Sequence, residues 1–177
     1  MRPRAIELLR SDKGGIAVAK LVGGLAPSHL ELVERAWSGA TVEMMMNLAL
    51  AGIAGDRWPQ SLHWDWSGRG PALRLLQATG IGLTCDDEWQ GVMLTLTAEH
   101  ITRLGSDAGK PIVYIEFLET APWNWRIADI GQSPRFRGVG SLLFREAVRQ
   151  SMREGFKGRV GSTHSRNQNC STSERAT

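Results

Sequence analysis

The 177-residue chain has two cysteines, Cys85 and Cys170, and a single tyrosine, Tyr114. Two cysteines so far apart give neither a disulfide framework nor metal-ligand spacing, and a reducing, cytoplasmic setting is expected. No apolar run approaches the roughly 18 residues that would span a bilayer. The start, "MRPRAIELLRSDKGGIAVAKLVGGLA", has a basic front, but Glu7, Arg10, Asp12, Lys13 and Lys20 interrupt each apolar stretch, so no signal peptide is expected. There are no internal repeats, and neither sign of charge dominates: 21 Lys and Arg against 18 Asp and Glu give a net charge of +3. A mildly basic chain suits an anionic small ligand or nucleic acid, and equally an uncommitted surface.

Glycine (20) and tryptophan (7) are both plentiful, and the glycines imply several tight turns. The length suits one domain with a core large enough to need no staples. Residues 3–10 fit a short helix or a strand. Pro27-Ser28 opens a predicted helix, with Ser28 and Glu31 as a capping box and Leu30, Val33, Ala36 and Trp37 at helical spacing. Ser38-Gly39 reads as a break before a second helix over 41–54, whose Met44-Met45-Met46 fits a core filling or a flexible groove.

"SLHWDW" alternates like a strand, with His63 and Asp65 on the face opposite its tryptophans, either an acid/base pair or simply solvated. "PALRLLQATG" reads as a helix stopped by Gly80. "GLTCDDEWQGVMLTLT" reads as a hairpin with Asp86-Asp87-Glu88 at its tip, acids that suit turn chemistry better than a metal. "AEHITRL" fits one or two helical turns. "PIVYIEFLETAP" is the strongest strand, with Val113, Ile115 and Phe117 on one face and Ile112, Tyr114, Glu116 and Leu118 on the other. Apolar on both faces, it belongs inside a covered sheet. A helix from about Gly140 to Glu154 follows, then "GRVGS" as the start of another strand. Beyond about residue 161 the composition turns polar, and a disordered tail over 163–177 is expected.

The order of elements over 111–155 carries most of the functional signal. A buried strand leads to a glycine-punctuated turn, "QSPRFRGVGSLLF", and then to a helix whose first turn has no acidic residue. A helix N-terminus leaves N–H groups unpaired and about half a positive charge. The N–H groups of Arg137, Gly138, Val139, Gly140 and Ser141 can converge on one anion, with Arg135 and Arg137 adding charge at the rim. So long a cradle suits a pyrophosphate. It is neither a P-loop, lacking Gly-Lys-Ser/Thr, nor a dinucleotide fingerprint, whose third glycine would fall at Leu143.

Arg135-Phe136-Arg137-Gly138-Val139-Gly140 resembles the signature of the GNAT superfamily of N-acyltransferases: Arg or Gln, two residues, Gly, any residue, Gly or Ala. The hairpin, strand and helix around it match in order, and the resemblance covers roughly residues 62–162. It implies an α/β (α+β mixed) fold with a central mixed, mostly antiparallel sheet flanked by helices. It divides the chain into a helical front over 1–58, an acyl-CoA-binding core over 59–162 and the polar tail. It implies acetyl-CoA as acyl donor, its pyrophosphate on the cradle (residues Arg135 to Ser141, Phe136 included) and its pantetheine arm along backbone near Leu118 to Thr120. The acceptor would be an amine on a small molecule or protein. Glu116 and Glu119 are the candidate general bases. Glu116, on an otherwise apolar face, is the one expected to be desolvated, unless it pairs with Arg126 or a helix arginine. Metal is not implied.

Family members continue through further strands and a helix that commonly supplies a tyrosine acid. The expectation is therefore of a chain missing its C-terminal strand-helix elements, truncated or frame-shifted, with His164 as a poor substitute acid and an open sheet edge that favours a homodimer. A non-catalytic acyl-CoA-binding module shares the same cradle. A basic RNA-associated protein, using the arginines of 135–159 and several tryptophans, is the third reading.

Overall fold

The computed structural model describes residues 4–162. The tail over 163–177, with His164 and Cys170, lies outside the described residues. Seven strands form one sheet in the order β6-β1-β2-β3-β4-β5-β7. They are β1 (Arg4–Arg10), β2 (Ile16–Gly23), β3 (Ala78–Cys85), β4 (Glu88–Leu96), β5 (Val113–Thr120), β6 (Phe136–Arg137) and β7 (Val160–Ser162). Every pairing is antiparallel except β5 with β7. Two α-helices, α1 (Pro27–Leu50) and α2 (Val139–Arg153), cover opposite faces of the sheet. This is the mixed, mostly antiparallel α/β architecture expected from the sequence. Among the described residues no helix is long and apolar enough to cross a membrane.

The front is not helical throughout. Residues 4–23 form the β1–β2 hairpin, in which Ala17, Ala19 and Leu21 are buried, while Ile16 and Val18 are exposed. Helix α1 runs unbroken for 24 residues through Ser38-Gly39. Its cap is Ala26, two residues before the Ser28 of the expected box, and the return bond comes from His29, whose Nδ1 accepts the Ala26 N–H at 2.9 Å. Leu30, Val33, Trp37, Met44 and Leu48 form its buried stripe, whereas Met45 and Met46 are exposed. Gly52, with φ 69°, ends it, and Ile53 N–H bonds back to the Leu48 carbonyl.

The expected "SLHWDW" strand and "PALRLLQATG" helix are absent. Residues 55–74 are a chain of short 3₁₀ turns, at Gly55–Arg57, Gln60–His63 and Ser67–Arg74. The tryptophans pack as a cluster: Trp64 and Trp66 meet edge to face, Phe117 meets both, and Trp37 meets Trp66. Asp65 accepts the Ser67 hydroxyl and the Gly68 N–H, so it caps a turn rather than pairing with His63. Gly80 lies within β3, where a Cβ would sit 2.7 Å from the Leu25 Cβ. "AEHITRL" is not helical, and its Ile101 bridges to Pro111.

The β3–β4 hairpin is as expected. Asp86 and Asp87 both have positive φ (54° and 59°), the backbone of a tight primed turn. Strand β5 departs in one respect that matters. Leu94 pairs with Phe117 and Thr95 with Ile115, which leaves Glu116 as an extra residue in a β-bulge. Before the bulge, Val113 and Ile115 face α2; after it, Leu118 faces α2, and Phe117 turns to the α1 side. β5 is also not flanked along its full length, since β7 pairs only with Val113–Ile115.

Candidate active site

The bulge opens the sheet. Beyond Ile115 the outer edge of β5 has no strand partner among the described residues. Ala121 N–H bonds inward to the Gln90 carbonyl. Antiparallel alternation then pairs Glu119 inward with Val92 and turns the backbone groups of Leu118 and Thr120 outward. The Thr120 carbonyl agrees with that direction, accepting the Trp125 indole N–H at 2.9 Å.

Helix α2 starts beside this edge. Gly138 is its N-cap, in the left-handed region at φ 83°, and no side chain caps the turn. Leu142 is the first residue bonded back into the helix, to the Gly138 carbonyl at 2.9 Å, which leaves the N–H groups from Gly138 to Ser141 without intrahelical acceptors. A Cβ on Gly140 would lie 3.7 Å from the Thr120 Cγ2 and 3.8 Å from the Leu118 Cδ2, so the helix N-terminus abuts the open edge. Gly91, on β4, lets α2 come this close: a Cβ there would sit 2.7 Å from the Val139 Cγ1.

The other residues of the expected cradle hold the loop in place. Arg135 donates its N–H to the Trp123 carbonyl at 3.0 Å, and its guanidinium pairs with Glu88 at 2.7 Å and lies near Asp12 and Asp86. Phe136 is buried under Arg10 and Arg135, and its N–H is accepted by Asn124 Oδ1 at 2.9 Å. Arg137 pairs with Leu9 of β1 through its backbone. The available backbone donors are therefore Gly138, Val139, Gly140 and Ser141. Of the two rim charges, Arg135 is committed to carboxylates, which leaves Arg137 as the exposed one. Of the acids at the hairpin tip that pair with Arg135, Asp86 also pairs with Arg10, as does Asp12, and among the described residues no cluster of three or more ligating side chains could hold a metal.

Sequence reasoning missed the clasp that aims this loop. Gln90 is fully buried; its Oε1 accepts the Trp123 indole N–H at 2.9 Å and the Asn124 Nδ2 at 3.0 Å, while Asn124 in turn receives Phe136 N–H. "PWNW" is thus the link between the β3–β4 hairpin and α2. A Gln and an Asn in apolar surroundings are the only hint in the sequence.

The burial expected of Glu116 falls on Glu119 instead. Glu116, at the bulge, is exposed, and its charge acts on Arg69. Glu119 is only 6% exposed. Its Oε2 accepts the Trp66 indole N–H at 2.9 Å, and its buried Oε1 has the Ser61 hydroxyl nearby but no hydrogen bond of good geometry. Burial pushes its carboxyl up from 4.5 to about 7, against the opposing pull of Ser61, Trp66 and Arg69. A carboxyl poised there can take a proton from an ammonium near neutral pH.

Glu119 forms the floor of a cavity of about 190 Å³, walled by α1, by residues 61–66 and by Pro122 and Trp125. A neighbouring groove along residues 55–63 shares Met45 and Leu62 with it. Tyr114 stacks on His100, with ring centroids 3.8 Å apart. It stands five residues before Glu119, about 17 Å along the strand.

No protein-family model matches the chain, and no curated protein matches its sequence. Solved structures do. Aminoglycoside N-acetyltransferase AAC(6')-Iy in complex with CoA aligns over 85% of this chain and 79% of its own, with 18% identity and a TM-score of 0.50. The same enzyme with the bisubstrate analogue CoA-S-monomethyl-acetylneamine aligns over 85% and 82%, with 17% identity and a TM-score of 0.50. A GCN5-related N-acetyltransferase from Ralstonia eutropha JMP134 aligns over 84% of each chain, with 16% identity and a TM-score of 0.49. The first two carry the assignment: the chain has a GNAT-like fold.

Proposed function

We propose that the protein is an N-acyltransferase that moves an acyl group, most simply acetyl, from acyl-coenzyme A to an amine. The observation that carries the reading is the contact of an uncapped helix N-terminus with the open edge of β5, at Leu118 and Thr120 on either side of the buried Glu119. The N–H groups of Gly138 to Ser141 would hold the pyrophosphate. Leu118 and Thr120 would pair with the pantetheine amides as an added strand would. Solved neighbours of the same fold bound to CoA support this direction.

In the reaction, Glu119 takes a proton from the acceptor ammonium, directly or through water. The free amine attacks the thioester carbonyl, the nitrogen of the tetrahedral adduct gives its second proton to water, the carbon–sulfur bond breaks, and the neutral amide and the thiolate part. Water protonates the thiolate, because the single tyrosine is held far along the strand beside His100. Glu119 then returns its proton to solvent.

The test is thiol release from acetyl-CoA over a panel of amines that includes an aminoglycoside, since the CoA-bound neighbours are aminoglycoside acetyltransferases. Turnover with at least one amine is the expected result. Acetyl-CoA binding with no turnover on any amine would favour a binding module instead.

A further inference from the structure

We infer that the acceptor is a small primary amine carried on an apolar, ring-sized body, its ammonium received by Glu119 at the floor of the tryptophan-walled cavity. The inference rests on the acyl-transfer reading and adds the class of acceptor to it.

Size is the first constraint. At about 190 Å³ the cavity is smaller than the roughly 300–1,000 Å³ typical of drug-sized ligands, so the part beside Glu119 suits one ring and a short arm, with the groove along residues 55–63 beyond Met45 and Leu62. Its walls are the second. Val42, Met45, Leu62, Trp64 and Trp125 present apolar and aromatic surface, which rewards an apolar body and tolerates a cation against ring faces.

Charge is the third and most selective constraint. Among the described residues only two carboxylates line the cavity, Glu34 and Glu119, and no lysine or arginine does. Glu34 Oε2 accepts the Trp66 N–H at 2.8 Å, and Glu119 Oε2 accepts the Trp66 indole N–H. The Oε1 of Glu34 and the Oε1 of Glu119, beside the Ser61 hydroxyl, remain open to the cavity, and only that of Glu119 belongs to a buried side chain, a seat for one ammonium. A polyamine or aminosugar would bring its further charges against Val42, Met45 and Leu62, with only Glu34 in the cavity to pair one of them. An amino acid would bring its carboxylate toward two carboxylates with no cation to receive it. Both classes are selected against by what the walls lack.

The test uses the full chain with acetyl-CoA and four amines: 2-phenylethylamine, phenylalanine, spermidine and an aminosugar antibiotic. Expected is a kcat/KM for 2-phenylethylamine at least tenfold above the other three. Ser38→Phe, placed on the exposed rim of the cavity, should raise its KM tenfold or more and leave the Kd for acetyl-CoA unchanged. Equal use of the four amines, preference for a polycation or amino acid, or indifference to Ser38→Phe would overturn the inference. If acetyl-CoA itself fails to bind, the acyl-transfer reading falls, and tryptophan fluorescence still decides the cavity. Quenching by 2-phenylethylamine that Ser38→Phe abolishes would support the apolar-amine site, and no quenching would overturn it.

Discussion

At the scale of single residues, the chemistry of the site depends on which glutamate is buried. Counting alternate positions along β5 puts Glu116 on an apolar face. One bulged residue shifts that count, so Glu119 is buried and Glu116 is exposed. Nothing in "YIEFLET" marks the bulge, because its cause is pairing with β4 across the sheet rather than a local glycine. Arg135 is illegible for a related reason: its partners Asp12, Asp86 and Glu88 come from two separate hairpins. The raised carboxyl of Glu119 has a definite signature. The folded state holds that proton up to about pH 7 and the unfolded state only to about 4.5. The associated stability is therefore fully present below about 4.5 and is lost as pH rises through 7, up to about 3 kcal/mol in all. Glu119→Gln should flatten the stability profile from denaturant unfolding over that window. It should also lower kcat/KM by about 10²–10⁴ and remove the rise in rate with an inflection near 7. Parallel stability profiles for the two proteins would show that Glu119 is not desolvated.

At the scale of elements, the β3–β4 hairpin, β5 and α2 are legible because each has an unambiguous period and its own turn or cap. The front is not. In β2 the residues that face inward include two alanines, while Ile16 and Val18 face out, so the apolar count points to the wrong side. In α1, Ser38-Gly39 looks like a stop, yet packing of Trp37 against Val92 and Leu94 of the sheet and burial of Met44 carry the helix through. Gly39 is then a glycine inside an exposed helical turn, where an added Cβ would meet nothing within 4 Å. Gly39→Ala should stabilise the protein by about 0.5–1 kcal/mol, read as a rise in the denaturation midpoint. No change, or a loss, would mean that the helix is broken there after all.

At the scale of the whole molecule, the sheet and α2 are locked by one carboxylate. Glu146, on α2 and 1% exposed, bonds Arg4 of β1 at 2.8 Å and Arg149 and Arg153 of its own helix at 3.3 and 3.1 Å. The arginine stripe that suggests RNA is in part this internal hub, and pairing between residues 142 apart cannot be read from the sequence. Burial alone would raise the Glu146 carboxyl, but the three guanidiniums outweigh it and hold it below its usual value. Its contribution is thus present above the ordinary carboxylate range and is lost as pH falls through the lowered value. Glu146→Gln should cost about 1–2 kcal/mol at pH 7, discounted because the arginines are half exposed, and the deficit should shrink in acid. An equal deficit at pH 7 and pH 3 would contradict the ion-pair account. The larger claim is that the sheet opens at Glu116 so that a helix N-terminus and a strand edge share one ligand. Calorimetric titration with acetyl-CoA tests it most directly, on the native chain and on Gly138→Val, whose branched side chain opposes the left-handed backbone at φ 83°. Saturable binding by the native chain and at least tenfold weaker binding by a still-folded Gly138→Val is the predicted result; no binding at millimolar ligand, or equal affinity in the variant, would contradict it.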